Sequence, residues 1–380
     1  MPPPPPSPPP AGTRRSISAA TASQKQRLND AVLKMKTTPS PWASGYVSTG
    51  PNAGLPVPRR WHNLSWWDTL VTIHLTVHNG GNPFAHQGPA FPMWHRLLLR
   101  MLEQGLNDVM GNPAEPITQT YWDWTRPLQT ARLWNSIGGD GFGQCVLDGP
   151  FAHAAGGFNI SVSENFVLPF EELFVPGSLA DSSNLSPSCL VRQFATSATI
   201  GGGYPALPTS HSVEQTLQIA AYDSWPYDMN ALGSISFRNV LEGWGGPNNF
   251  GLTPGGPMHN QGHRWIGGTM LSQASPNDPS FFHHHANVDR IYQSWLENSG
   301  QIYYANEENG GKPAPADYPA KLTPLTNAAC KAKYPEYRIY LHNVDGVMTL
   351  EVSPNGTPVS CDASCLQSIN GVADWDNEAL

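Results

Sequence analysis

Two short segments decide how this chain folds: MHNQGHRWI, Met258 to Ile266, and DPSFFHHHANVDR, Asp278 to Arg290. The spacing predicts helices over 258–267 and 278–297. His259 and His263 stand at i and i+4, so on a helix their rings share one face about one turn apart and can chelate a single metal. The second segment adds three consecutive histidines, His283, His284 and His285. A zinc protease helix needs a glutamate directly after its first histidine to act on the metal-bound water. Asn260 occupies that place, so zinc hydrolysis lacks its general base.

Working outward, a second cluster lies towards the N-terminus. SWWDTLVTIHLTVHN, Ser65 to Asn79, reads as a helix with Ser65 as N-cap, Asp68 three residues on, and Gly80-Gly81 as the stop. FPMWHRLLLRMLEQGLNDVM, residues 91–110, reads as an amphipathic helix. His74 then sits on one helix, His86 on a loop and His95 on the next helix, with His78 close to His74. An isolated i,i+4 pair is structural about as often as it is a ligand pair; two clusters together favour metal. Three imidazoles per site with no obvious carboxylate suit copper or zinc over magnesium or calcium. His62, His153, His211 and His342 stand alone and read as surface or hydrogen-bonded residues.

The rest of the chain bounds the class. There are 380 residues, 39% hydrophobic and only 13% charged, with 36 Gly and 38 Pro. That length suits one large core, and that composition suits long irregular connections over a coiled coil or a charged disordered chain. The net charge of -8 and the absence of a basic run exclude a nucleic-acid footprint. No apolar run approaches the ~18 residues a membrane span needs. Residues 1–16 read as a disordered, proline-rich N-terminus, 17–352 as the folded domain and 353–380 as a polar tail. Helices are expected at 17–36 and 231–244, and paired strands within 335–352. N-x-Ser/Thr sequons at Asn63, Asn159, Asn184 and Asn355, with five cysteines and no C-x-x-C pair, point to a secreted protein whose signal has been removed. One disulfide is expected between Cys145 and Cys189.

The histidine segments resemble a known family. FAHQGPAFPMWHR, Phe84 to Arg96, is similar to the first copper motif of tyrosinases and catechol oxidases, and NDPSFFHHHANVDR, Asn277 to Arg290, resembles the second. YWDW, Tyr121 to Trp124, and FRNVLEGW, Phe237 to Trp244, also look like family segments. The resemblance implies a mainly α fold, an antiparallel four-helix bundle around a binuclear copper site with long loops and a few short strands. It implies copper A on His74, His86 and His95, and copper B on His259, His263 and His285. His74 is preferred to His78 because it follows the family's aromatic-Asp-apolar pattern from Trp67-Asp68. His285 is preferred among its neighbours as the seventh residue after Asp278.

The resemblance further implies O2 and phenols as substrates. Glu242 and Asn260 match the family's pair proposed to hold a water that takes the phenol proton, which points to tyrosinase activity. Catechol oxidase action with little hydroxylation is the alternative, and an oxygen carrier like hemocyanin a third reading. Phe84 stands where many members have a cysteine, so their thioether bridge is not expected, and too few residues follow Arg290 for a large C-terminal cap. Small residues at Gln273 to Pro276 imply an open site, with Arg264 as a rim charge. Asp289 and backbone carbonyls are the expected acceptors for the second ring nitrogens.

Overall fold

The computed structural model describes residues 12–40, 64–79, 86–88, 91–139, 142–153, 158–160, 162, 188–195, 206–226, 228–245 and 258–299, together with the strands at 307–308, 312–313, 340–344, 347–352 and 359–361. Among these the fold is mainly α. The helices are α1 (Ala22–Thr37), α2 (Trp66–Asn79), α3 (Phe91–Val109), α4 (Pro127–Ile137), α5 (Ser210–Leu217), α6 (Phe237–Glu242), α7 (Met258–Ile266) and α8 (Ser280–Ser299). The strands are short and pair antiparallel in small sheets; Tyr340–Val344 pairs with Val347–Val352 in agreement with the alternation seen in sequence, and Val359–Cys361, within the segment read as a polar tail, adds a third strand.

The helix boundaries follow local chemistry. Thr21 and Gln24 form a capping box, so α1 starts at Ala22 and not at residue 17. Ser16 bridges instead to Tyr121 in the segment before α4, with the Ile17 N–H donating to Tyr121 O at 2.9 Å. Ser65 Oγ accepts from Asp68 N at 3.0 Å and donates to the Asp68 carboxylate at 2.8 Å, as a cap should. The predicted helix over 231–244 breaks at Ser236, whose extended backbone ends a 3₁₀ turn and whose hydroxyl caps α6. Pro279 keeps Asp278 out of the helical region, so α8 begins at Ser280, and Asp278 Oδ1 accepts from Ser280 N.

Packing brings the four histidine-bearing helices together. α3 lies against α1, α2 and α8, while α7 touches α6 and α8. Trp67 of α2 meets Phe282 of α8 edge-on at 5.0 Å and Phe158 at 5.5 Å. Leu98, Leu99, Leu102 and Leu106 run down the buried face of α3. Each such side chain contributes about 1.5–3 kcal/mol on burial. The expected disulfide is present, joining Cys145 at the end of the strand Phe142–Cys145 to Cys189.

The N-terminus departs from expectation. Its first eleven residues lie outside the described ones, but residues 12–16 are packed, not disordered. Arg14 is 3% exposed and forks onto Glu103 of α3 at 2.7 and 2.8 Å, with Nη1 on Asp289 of α8 at 2.7 Å. Arg96 of α3 holds the other oxygen of Asp289 at 2.5 Å. Two cations and two carboxylates thus close a buried ion network that a proline-rich reading of the segment could not foresee. Burial alone lowers Arg14 proton affinity, yet Glu103 and Asp289 outweigh it and raise its pKa above the ordinary value.

Candidate metal centre

Two groups of imidazoles face each other in the core. In the first, His74, His86 and His95 place one nitrogen each within 4.8 Å of the others. His74 projects from α2 and His95 from α3. His86 comes from the short described loop 86–88, and its ring lies 5.0 Å from both. His74 Nδ1 meets Gln273 O at 2.8 Å and His95 Nδ1 meets Phe91 O at 2.8 Å. A carbonyl only accepts, so both rings carry their proton on Nδ1 and keep a lone pair on Nε2. The His78 side chain lies outside the described residues, as does Phe84.

In the second group His259 and His263 of α7 meet His285 of α8. His285 Nε2 lies 3.2 Å from His259 Nε2 and 3.4 Å from His263 Nε2. His263 Nδ1 donates to Met270 O at 2.7 Å. His259 Nδ1 donates to Glu242 O at 3.2 Å and Asn260 Oδ1 at 3.0 Å. The carbonyls leave lone pairs on Nε2 of His259 and His263, both beside His285 Nε2, an arrangement that can hold a cation among the three nitrogens. Imidazole–metal bonds of ~2.0–2.1 Å in near-tetrahedral geometry separate the nitrogens by ~3.3 Å, and the observed spacings fit that. The groups adjoin: His95 and His285 stack at 4.2 Å with an interplanar angle of 8°.

Burial keeps the rings of the second group neutral. It pushes His263 down to about 4, while His259 and His285 fall well below the usual imidazole range through burial and through their histidine neighbours. Neutral imidazole is the form that binds metal.

The remaining histidines of the triple run separate by direction. His283 turns to Thr120, with Nδ1 2.9 Å from its hydroxyl, and takes no part in the cluster. His284, set aside in the sequence reading, joins it: its ring lies 4.9 Å from His263 and 5.1 Å from His259, and it offers a fourth nitrogen within 4.8 Å of the other three. A signal for it was Gly262 between the paired histidines. Any side chain there would bring its Cβ to 2.3 Å from His284 Cε1.

Asp289 does not hold a histidine; its oxygens are taken by Arg14 and Arg96. For His74, His95, His259 and His263 the acceptors are backbone carbonyls, two of them from the single segment Met270–Gln273, with the Asn260 side-chain oxygen beside the one on His259. Ala274, Ser275 and Pro276 are buried, and the turn they begin packs on the helix of His74, while Arg264 is half-buried. Glu242 ends α6, 1% exposed, with Gln87 N donating to its Oε1 at 2.6 Å and Arg238 Nη1 3.6 Å from Oε2. Burial raises Glu242 to about 7 against the pull of Arg238. Glu242 and Asn260 thus both contact His259.

Comparison with known proteins identifies the family. Residues 64–298 match the family model described as the common central domain of tyrosinase. A tyrosinase of Streptomyces antibioticus is 30% identical over 341 residues, which covers 87% of this chain and 99% of that protein. A tyrosinase of Streptomyces glaucescens is 31% identical over 292 residues, 74% of this chain and 81% of that protein. Among solved structures, a polyphenol oxidase from Thermothelomyces thermophila aligns with a TM-score of 0.47 at 21% identity, over 75% of this chain and 70% of that one. The chain belongs to the tyrosinase family of binuclear copper oxidoreductases, and its two histidine groups fit the two copper ions.

Proposed function

We propose that this chain is a tyrosinase proper, hydroxylating monophenols to o-diphenols and oxidising these to o-quinones. His74, His86 and His95 would hold copper A, and His259, His263 and His285 copper B. When bound, the copper pair supplies the electron chemistry with O2. The chain does the rest. Carbonyls of Phe91, Glu242, Met270 and Gln273 fix ring orientation and leave Nε2 to the metal. The aromatic wall of Phe91 and Phe281 packs against the rings, Phe91 4.8 Å from His259 and Phe281 4.1 Å from His285.

Monophenols need a base, because the phenol must lose its proton on arrival. The observation that carries the reading is the convergence of Glu242 and Asn260 on His259, Glu242 through its main-chain oxygen and Asn260 through its side-chain oxygen. Glu242, its carboxyl raised by burial to about 7, is suited to exchange the phenol proton through a water shared with the Asn260 amide. The Cys145–Cys189 disulfide supports the further reading that the protein is secreted.

Oxygen uptake with tyrosine and with catechol tests the assignment. Turnover of both by the parent, with tyrosine turnover lost in Glu242→Gln while catechol oxidation persists, is the expected result. Catechol turnover alone in the parent would make it a catechol oxidase. Equal loss on both substrates in Glu242→Gln would remove the proton-transfer role.

A further inference from the structure

The residue after His86 has a backbone that sequence gives no reason to expect. Gln87 adopts φ 59, in the left-handed region that a residue with a Cβ enters only under strain. This conformation goes with one contact: the Gln87 N–H donates to Glu242 Oε1 at 2.6 Å. Glu242 also reaches the opposite histidine group, since its main-chain oxygen accepts from His259 Nδ1 at 3.2 Å. The platform is rigid. α6 is capped by Ser236, closed by Gly243 at φ 108, and clamped through Arg238 onto the buried Asp223 at 2.9 Å.

We propose that Glu242 and Gln87 tie the two histidine groups together: the Glu242 carboxylate fixes the His86 loop through the Gln87 amide while its carbonyl orients His259, which makes Gln87 a positioning residue for the first group. The inference rests on His86 and His259 being copper ligands. It assigns Glu242 a structural task separable from proton transfer, because an amide oxygen can accept the Gln87 N–H but cannot take a phenol proton. It also separates the backbone of Gln87 from its side chain. Glycine tolerates φ 59, whereas a β-branched residue does not.

The test is a titration of copper-free protein with Cu(I) against a competing chromogenic chelator, with copper counted per chain. Outer-shell partners of metal ligands are worth roughly 10–100-fold in metal affinity. Glu242→Ala and Gln87→Val are expected to bind one of the two coppers weaker by that factor. Glu242→Gln and Gln87→Gly should stay within about threefold of the parent, well inside that range. Loss of tyrosine turnover in Glu242→Gln with copper retained would separate the two tasks of Glu242. Parent-like affinity in both Glu242→Ala and Gln87→Val would overturn the tie while leaving the ligand set intact. A parent that fails to bind two coppers would overturn the ligand set and the tie with it. Should Glu242→Ala not fold, Gln87→Val against Gln87→Gly decides: weaker binding by the valine variant alone supports the tie, and equal affinity refutes it.

Discussion

Replacing Arg14 by Met should destabilise the whole domain, although Arg14 lies within a stretch that reads as a disordered tail. Its guanidinium makes three buried charge-assisted hydrogen bonds, two to Glu103 at 2.7 and 2.8 Å and one to Asp289 at 2.7 Å. Methionine fills much of the space of the aliphatic stem, so the cavity contribution is small. What remains is a buried carboxylate stripped of the cation hydrogen-bonded to it. Asp289 keeps Arg96, but Glu103 is left with the Gln119 N–H at 3.1 Å and the more distant charge of Arg100. Removing one partner of a buried pair costs about 3–5 kcal/mol. At ~2–4 °C per kcal/mol for a domain of this size, the Tm should fall by roughly 6–20 °C. Urea unfolding of the copper-free protein, followed by tryptophan fluorescence, measures the change directly. Adding Glu103→Gln to Arg14→Met removes the orphan charge, so the double variant should be more stable than Arg14→Met alone. An Arg14→Met protein within about 1 kcal/mol of the parent, or a double variant losing further stability additively, would refute the reasoning.

Other outcomes follow from the same geometry. His263→Ala should lower the copper content from about two per chain to about one and abolish phenol oxidation, and full copper loading of that variant would remove His263 from the ligand set. Glu242 titrates at about 7 because burial disfavours its charge, with Arg238 opposing. As a base it works above that pH, so the ratio of tyrosine to catechol turnover should rise from pH ~6 to ~8, and a flat parent profile would tell against it. Reducing the Cys145–Cys189 disulfide, which spans 44 residues, should lower the unfolding free energy by about 2–4 kcal/mol; an unchanged urea midpoint would show that the bridge contributes nothing.

Local chemistry was legible in the chain before any coordinates. The i,i+4 spacing of His259 and His263, the Ser65 cap and the alternation within 335–352 each act over a few residues, so pattern alone reveals them. Both histidine groups, and the role of copper, followed from residue type and motif. The tertiary structure decided what depends on direction. Three consecutive histidines differ by about 100° steps around a helix, and only packing shows that His283 turns to Thr120 while His284 and His285 face the cluster. Partners far apart in sequence were equally hidden. Arg14 and Asp289 stand 275 residues apart, and Gln87 and Glu242 stand 155 apart. A charge buried against a distant carboxylate leaves no local signature, because it is the fold that supplies the low-dielectric site where the pairing matters.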